Sequence, residues 1–189
     1  MLTPERDYDA IAKDAIFDAL ALILGLNETQ ANKMIRFSWP SETGSERFTA
    51  TPTTNVCYIR FTATQLSSEG YVNDNVSSYI DKDGAVVGVE RMDTHRGVRA
   101  QFIFYGPKSM DNALRIRVGM NRADANVILR DADMSYVPNR QMPVSMDELI
   151  DGNWFSRADV SLDFYQLIVY TDTVPLIGSV PDIHIIPNN

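Results

Sequence analysis

The residues of this chain whose types and spacing could do chemistry are two histidines, one cysteine and a late group of carboxylates. Histidine is the commonest general base near neutral pH. His95 falls in a predicted turn between Thr94 and Arg96, and His184 alternates with isoleucines near the C-terminus. Neither has a sequence-local partner, so both are read as surface histidines. A nucleophile needs an adjacent base. Cys57 instead shares an apolar strand face with Ile59 and Phe61, which predicts a buried, inert thiol. The chain has no Gly-x-Ser-x-Gly elbow. One cysteine and two distant histidines cannot supply a local zinc site.

Asp81-Lys82-Asp83-Gly84 resembles part of a calcium loop, and Glu90 stands six residues after the glycine. The first ligand position is Tyr79, however, so a hairpin turn is the better reading. The glycines are scattered, and neither Gly84 nor Gly88 leads into Lys-Ser or Lys-Thr, so no phosphate cradle is expected. Asp131, Asp133, Asp147, Glu148 and Asp151 could in principle do acid–base work. Without partner groups beside them in sequence, they are expected to form a solvated acidic surface. Asn27-Glu28-Thr29 and Asn75-Val76-Ser77 fit a glycosylation pattern that has meaning only in a secreted chain. The expectation is no catalytic, cofactor-binding or metal-binding residue, and no cofactor.

The elements around these residues begin with a helix. Thr3 is the expected N-cap, Pro4 the first helical residue, and Gly25 the C-cap. Between them, Tyr8, Ile11, Ala12, Ala15, Ile16, Ala19, Leu20, Leu22 and Ile23 form a wide apolar stripe. Asn27 with Gln30 predicts a capping pair for a short second helix to about Ile35. Met34–Trp39 fits either a helix end or an extended segment. Pro40–Thr54 reads as a long loop.

The period then changes to two. Val56–Thr64 is a predicted strand with Cys57, Ile59, Phe61 and Ala63 on one face. Val72–Ile80 is a weaker strand, Asp83-Gly84 a hairpin signal and Val86–Val89 the next strand. A turn is expected at His95–Gly97, followed by a strand over Val98–Tyr105 that Gly106-Pro107 terminates. Ser109 is the expected cap of a central helix, and Asn121 with Asp124 starts a second helical piece to Arg130. Met134–Val137 reads as short and extended, and Asn139–Gly152 as loop. Trp154–Thr171 is a long strand with a phase slip near Gln166, which suggests a bulge. Residues 173–181 read as a linker and Ile183–Ile186 as an edge strand. Strands that come in runs argue for an α+β fold: one domain, with a mostly antiparallel sheet packed with an N-terminal helix and a central helix.

The chain of 189 residues can bury a sizeable core without a disulfide or metal staple. A lone cysteine fits a reducing compartment. The opening residues hold no basic stretch followed by an apolar one, so no secretory signal is expected. The longest apolar run, Ala19–Leu24, is far short of the roughly 20 residues of a membrane span. The net charge of −8, with no cluster of Lys and Arg, argues against tight binding to a phosphate backbone. Trp39, Trp154 and Phe155 flank loops, where aromatic residues often anchor interfaces.

Phe102-Ile103-Phe104-Tyr105-Gly106-Pro107, followed by a helix containing Ala113, resembles the phage neck and tail terminator (tail completion) proteins of long-tailed phages. So does Arg140-Gln141-Met142-Pro143, followed by Trp154–Asp159 and the strand from Val160. The resemblance covers most of the chain in element order. It does not extend to Pro40–Thr54 or residues 174–189. It implies a non-enzymatic virion protein, made in the host cytoplasm, spanning residues 1–189 as one domain with 172–189 as an extended arm. It further implies a ring, commonly of six copies, that caps the tail tube and meets the head–tail connector protein. DNA would pass through the lumen without specific binding, and no membrane is involved. The alternatives are another neck or tail assembly protein, a small monomeric module binding a peptide or saccharide, and an enzyme.

Overall fold

A computed structural model of the chain describes residues 3–37, 51–64, 72–80 and 86–175. Its axis is a pair of long antiparallel strands, β5 (Val86–Tyr105, 20 residues) and β8 (Asn153–Pro175, 23 residues). At about 3.3 Å per residue, β5 is roughly 65 Å long. The pair stays in one register from Val87↔Pro175 to Tyr105↔Arg157. The outer edge of β5 is covered in succession by β3 (Val56–Thr64) and β4 (Val72–Ile80). The outer edge of β8 is covered by β7 (Val144–Ile150), β6 (Met134–Val137) and β1 (Thr3–Pro4). β2 (Ile35–Phe37) adds to β3 in parallel, and every other pairing among the described residues is antiparallel.

The expected turn at His95–Gly97 does not form. These residues lie in the middle of β5, where His95 pairs with Leu167 and Gly97 with both Thr64 and Tyr165. A glycine flanked by strands on both sides needs no turn.

The bulge expected near Gln166 is absent too. Val160, Leu162, Phe164, Gln166 and Ile168 are all buried in one unbroken alternation. The apparent slip is a glutamine standing at an apolar position. Its burial is satisfied: Nε2 donates to the Tyr8 carbonyl at 2.8 Å, and Oε1 accepts from Arg96 Nε at 3.0 Å and Nη2 at 2.7 Å. A buried amide without such partners would cost about 1–3 kcal/mol.

The start of the first helix also differs from expectation. Thr3–Pro4 is a short strand on β8, a sheet edge where proline is tolerated. The helix α1 runs Tyr8–Leu24, and its N-cap is Asp7, whose Oδ1 accepts from Ala10 N at 3.0 Å. Tyr8 fastens this end: its hydroxyl accepts from Val169 N at 2.9 Å. At the other end Gly25 takes the left-handed conformation (φ 71°) as expected, and Arg115 donates to the carbonyls of Ile23 and Leu24. The short helix α2 (Glu28–Met34) has the expected reciprocal cap between Asn27 and Gln30. The ambiguous stretch after it turns extended at Ile35.

Helices α3 (Ser109–Gly119) and α4 (Ala123–Asp131) join α1 over one face of the sheet. Ala12, Ile16, Ala19, Leu20 and Ile23 meet Phe102, Phe104, Leu162 and Phe164 in one core, with Ile116 and Leu129 completing it. Burying each of the larger side chains contributes about 2 kcal/mol. Ser109 does not cap α3 with its side chain. It is the first helical residue, and the Asn55 carboxamide accepts the Lys108 N–H at 2.9 Å instead. On the opposite face a smaller cluster gathers Val56, Tyr58, Ile103, Tyr105 and Phe155. Asn139–Gly152, expected as loop, contains the strand β7. Asp83-Gly84, Trp39, Pro40–Ala50, His184 and the expected edge strand Ile183–Ile186 lie outside the described residues.

Gly106 sits where β5 gives way to α3. Its φ is 105°, and a Cβ there would lie 2.4 Å from the Thr54 carbonyl oxygen. Its own N–H donates to Ser156 O at 2.9 Å. Gly106→Ala is therefore expected to lower unfolding free energy by about 3 kcal/mol or more, from backbone strain and steric overlap together. Urea denaturation measures this, and an unchanged midpoint would contradict the tight approach.

Candidate functional site

The residues singled out for chemistry are dispersed. Cys57 is fully buried on the helix-facing side of β3, and burial pushes its thiol well above the ordinary range, against a weaker lowering by the Ile103 backbone. That is the environment of an inert thiol. His95 is exposed on β5, and Glu90 lies half-buried on the same strand. Among the described residues no group of three or more His, Cys, Asp and Glu side chains is arranged to hold a metal ion. Also among the described residues, no helix is long and apolar enough to cross a membrane.

The late carboxylates separate into two places. Asp131 and Asp133 follow one another at the end of α4, where Asp133 accepts from Arg6 Nη1 at 3.4 Å. Asp147, Glu148 and Asp151 lie on the β7–β8 hairpin. There the expectation of a plain solvated surface fails for Glu148. Its Oε2 accepts from the Tyr105 hydroxyl at 2.6 Å and from Arg157 Nη1 at 2.9 Å. Arg157 also grips Asp159 through Nε at 2.8 Å and Nη2 at 2.6 Å, and its guanidinium stands 5.8 Å from the centre of the Tyr105 ring.

The pKa directions follow from this geometry. Burial would raise Glu148, but the hydrogen bonds from Tyr105 and Arg157 outweigh it and hold the carboxyl below its usual range. Tyr105 is raised, by burial first and then by its bond to Glu148. Arg157 is raised, chiefly by Asp159. The cluster thus stays as neutral phenol, carboxylate and guanidinium near neutral pH. It ties the hairpin to the end of β5.

Sequence reasoning missed this hairpin although its signal was present. Asp151-Gly152 joins Ile150 to Asn153 as a two-residue turn, with φ of 48° and 78°. Positive φ at both central positions is the geometry that suits the right-handed twist of paired strands. Beyond the cluster, Leu149 pairs with Trp154 across the two strands, and these side chains are 55% and 67% exposed. Phe155, the neighbouring aromatic, is instead buried against Tyr105.

A second feature lies beyond the other edge of β5. A groove of about 760 Å³ opens between the N-terminal half of α1 and the outer strands. Phe37 and Phe61 line it with partly exposed rings above the buried Ile59 and Val98, and Lys13 brings positive charge. Arg96 in its wall is paired with Asp9 at 2.5 Å.

These elements form a small α+β domain with a mostly antiparallel sheet. The sequence model described as phage neck terminator protein matches residues 14–189, so the chain belongs to the phage neck terminator family. No curated protein matches the chain.

Glu148→Gln is expected to cost about 1 kcal/mol at pH 7, the worth of a charge-assisted bond discounted for solvent exposure. Because the folded carboxyl lies below its unfolded value, its contribution is present above the ordinary carboxylate range and lost as pH falls through the folded value. The gap between wild type and variant in urea midpoint should therefore shrink on acidification. A gap that stays constant or widens would contradict the clamp.

Proposed function

We propose that this chain is a non-enzymatic structural subunit of the phage neck, whose copies close into a ring that caps the tail tube and joins the tail to the DNA-filled head. The family match over residues 14–189 carries the reading. The fold supports it in physical terms. A ring of identical copies needs a heterologous contact, in which two different patches of one chain meet. The exposed Leu149–Trp154 pair and the groove beside α1 are two such patches on different edges of the sheet.

Six copies are the proposed number, and the tail tube protein and the head–tail connector protein are the proposed neighbours. Residues 1–189 act as one domain. An arm at its C-terminal end begins with residues that β8 still pairs as far as Pro175. The subunit is made in the host cytoplasm and acts in the virion. A net charge of −8 suits a lumen that passes DNA without gripping it.

Electron microscopy of lysates made with this reading frame disrupted tests the role. Filled heads beside detached tails of uncontrolled length are expected. Detached tails of normal length would point to another joint protein. Normal infectious particles would contradict the proposal.

A further inference from the structure

We infer that the β7–β8 hairpin of one copy seats in the α1–β3 groove of the next copy, with Trp154 and Leu149 as its apolar anchor. The inference rests on the ring reading and names the contact that would close it.

The first argument is position. The hairpin hangs from the outer edge of β8, whereas the groove lies beyond the opposite edge of β5, along β3 and β2. One chain cannot meet itself through two patches on opposite edges of a single sheet, but successive copies can.

The second argument is surface chemistry. Leu149 and Trp154 are directly opposite one another and together leave roughly 250 Å² of side-chain surface in water. An exposed tryptophan beside an exposed leucine is what an interface anchor presents, and such anchors fill apolar pockets. The groove offers the partly exposed rings of Phe37 and Phe61.

Charge is the third argument. Asp147 shares a strand face with Leu149, two residues away, and Asp151 sits in the turn. Both are exposed. Lys13, also exposed, brings the opposite sign to the groove, and the one carboxylate lining it, Asp9, is already bound to Arg96. Acidic hairpin and basic groove therefore attract, while hairpin against hairpin repels.

The hairpin is also stiff enough for the role. A two-residue turn and the Glu148–Tyr105–Arg157 cluster fix it before any contact forms. Pre-organisation of this kind lowers the ordering cost of association.

The test uses full-length chain in assembled necks. A benzophenone amino acid replaces Trp154, isotope-labelled and unlabelled copies are mixed, and crosslinked peptides are sequenced. Native mass spectrometry of the same necks counts copies. Crosslinks from one copy to the Lys13, Phe37 or Phe61 region of another are expected.

A charge-swap series guards against a crosslinker variant that fails to fold. Lys13→Glu should weaken association about tenfold, and adding Asp147→Lys should restore most of it. In necks holding several copies, crosslinks within one chain, to a different protein or nowhere, with no rescue by the swap, overturn the inference and leave the ring standing. Necks holding a single copy overturn both.

Discussion

The register of β5 against β8 is the constraint on which the rest of the structure depends. The two strands pair without a break from Val87↔Pro175 to Tyr105↔Arg157, and each described outer strand except β2 attaches to one or the other. Because side chains alternate between faces, a one-residue slip of β8 against β5 would turn Val160, Leu162 and Phe164 away from the core and bring Ser161, Asp163 and Tyr165 into it. The core would lose Phe164, and Asp163 would enter it without Arg99. Arg99 and Asp163 meet at 2.7 Å on the open face, directly opposite one another, only in the native register. Gln166 reinforces the same choice, since only this register brings its carboxamide to Tyr8 and Arg96.

The long pair also divides the molecule along its length. Near Tyr105 both faces are covered, one by the helices and the other by the Tyr58–Tyr105–Phe155 cluster. Toward Val86, β5 carries Glu90, Arg91, Asp93, Thr94 and His95, none of which joins a buried apolar cluster, and beside them only Ile168 and Val169 of β8 are buried, against Tyr8. That stretch is held by β4 and β8 through backbone pairing. The rigid end carries the clamped hairpin, so the features available to a neighbour are borne on the best-packed part of the fold. A contact surface on such a frame needs little reordering on binding.

Much of this was legible in the sequence because it depends on local patterns. The apolar stripe of α1, the Asn27–Gln30 cap, the Gly25 stop and the strand Val56–Thr64 are set by periodicity and by residues a few positions apart. Three misreadings share one cause, which is that long-range contacts override local signals. Thr3-Pro4 looks like a helix start until β8 offers an edge. His95–Gly97 looks like a turn until strands flank it on both sides. Gln166 looks like a slip because a buried, fully bonded glutamine is indistinguishable in sequence from an exposed one. The Tyr105–Glu148–Arg157 cluster joins residues far apart in the chain, so no spacing announces it. The Asp151-Gly152 turn was readable, and it would have revealed the hairpin. The family resemblance rests on Arg140–Pro143 with Trp154–Asp159 and on Phe102–Pro107, where Gly106 is required by the close approach of Thr54.

Family membership, a stiff frame and complementary patches on opposite sheet edges form one account, in which the chain works only as one of several copies. Single-particle reconstruction of isolated virion necks addresses that claim most directly. The account predicts a closed ring of this chain between the tail tube and the head joint, with the β7–β8 hairpin of each copy against its neighbour. A neck that holds one copy, or a neck without this chain, would contradict it.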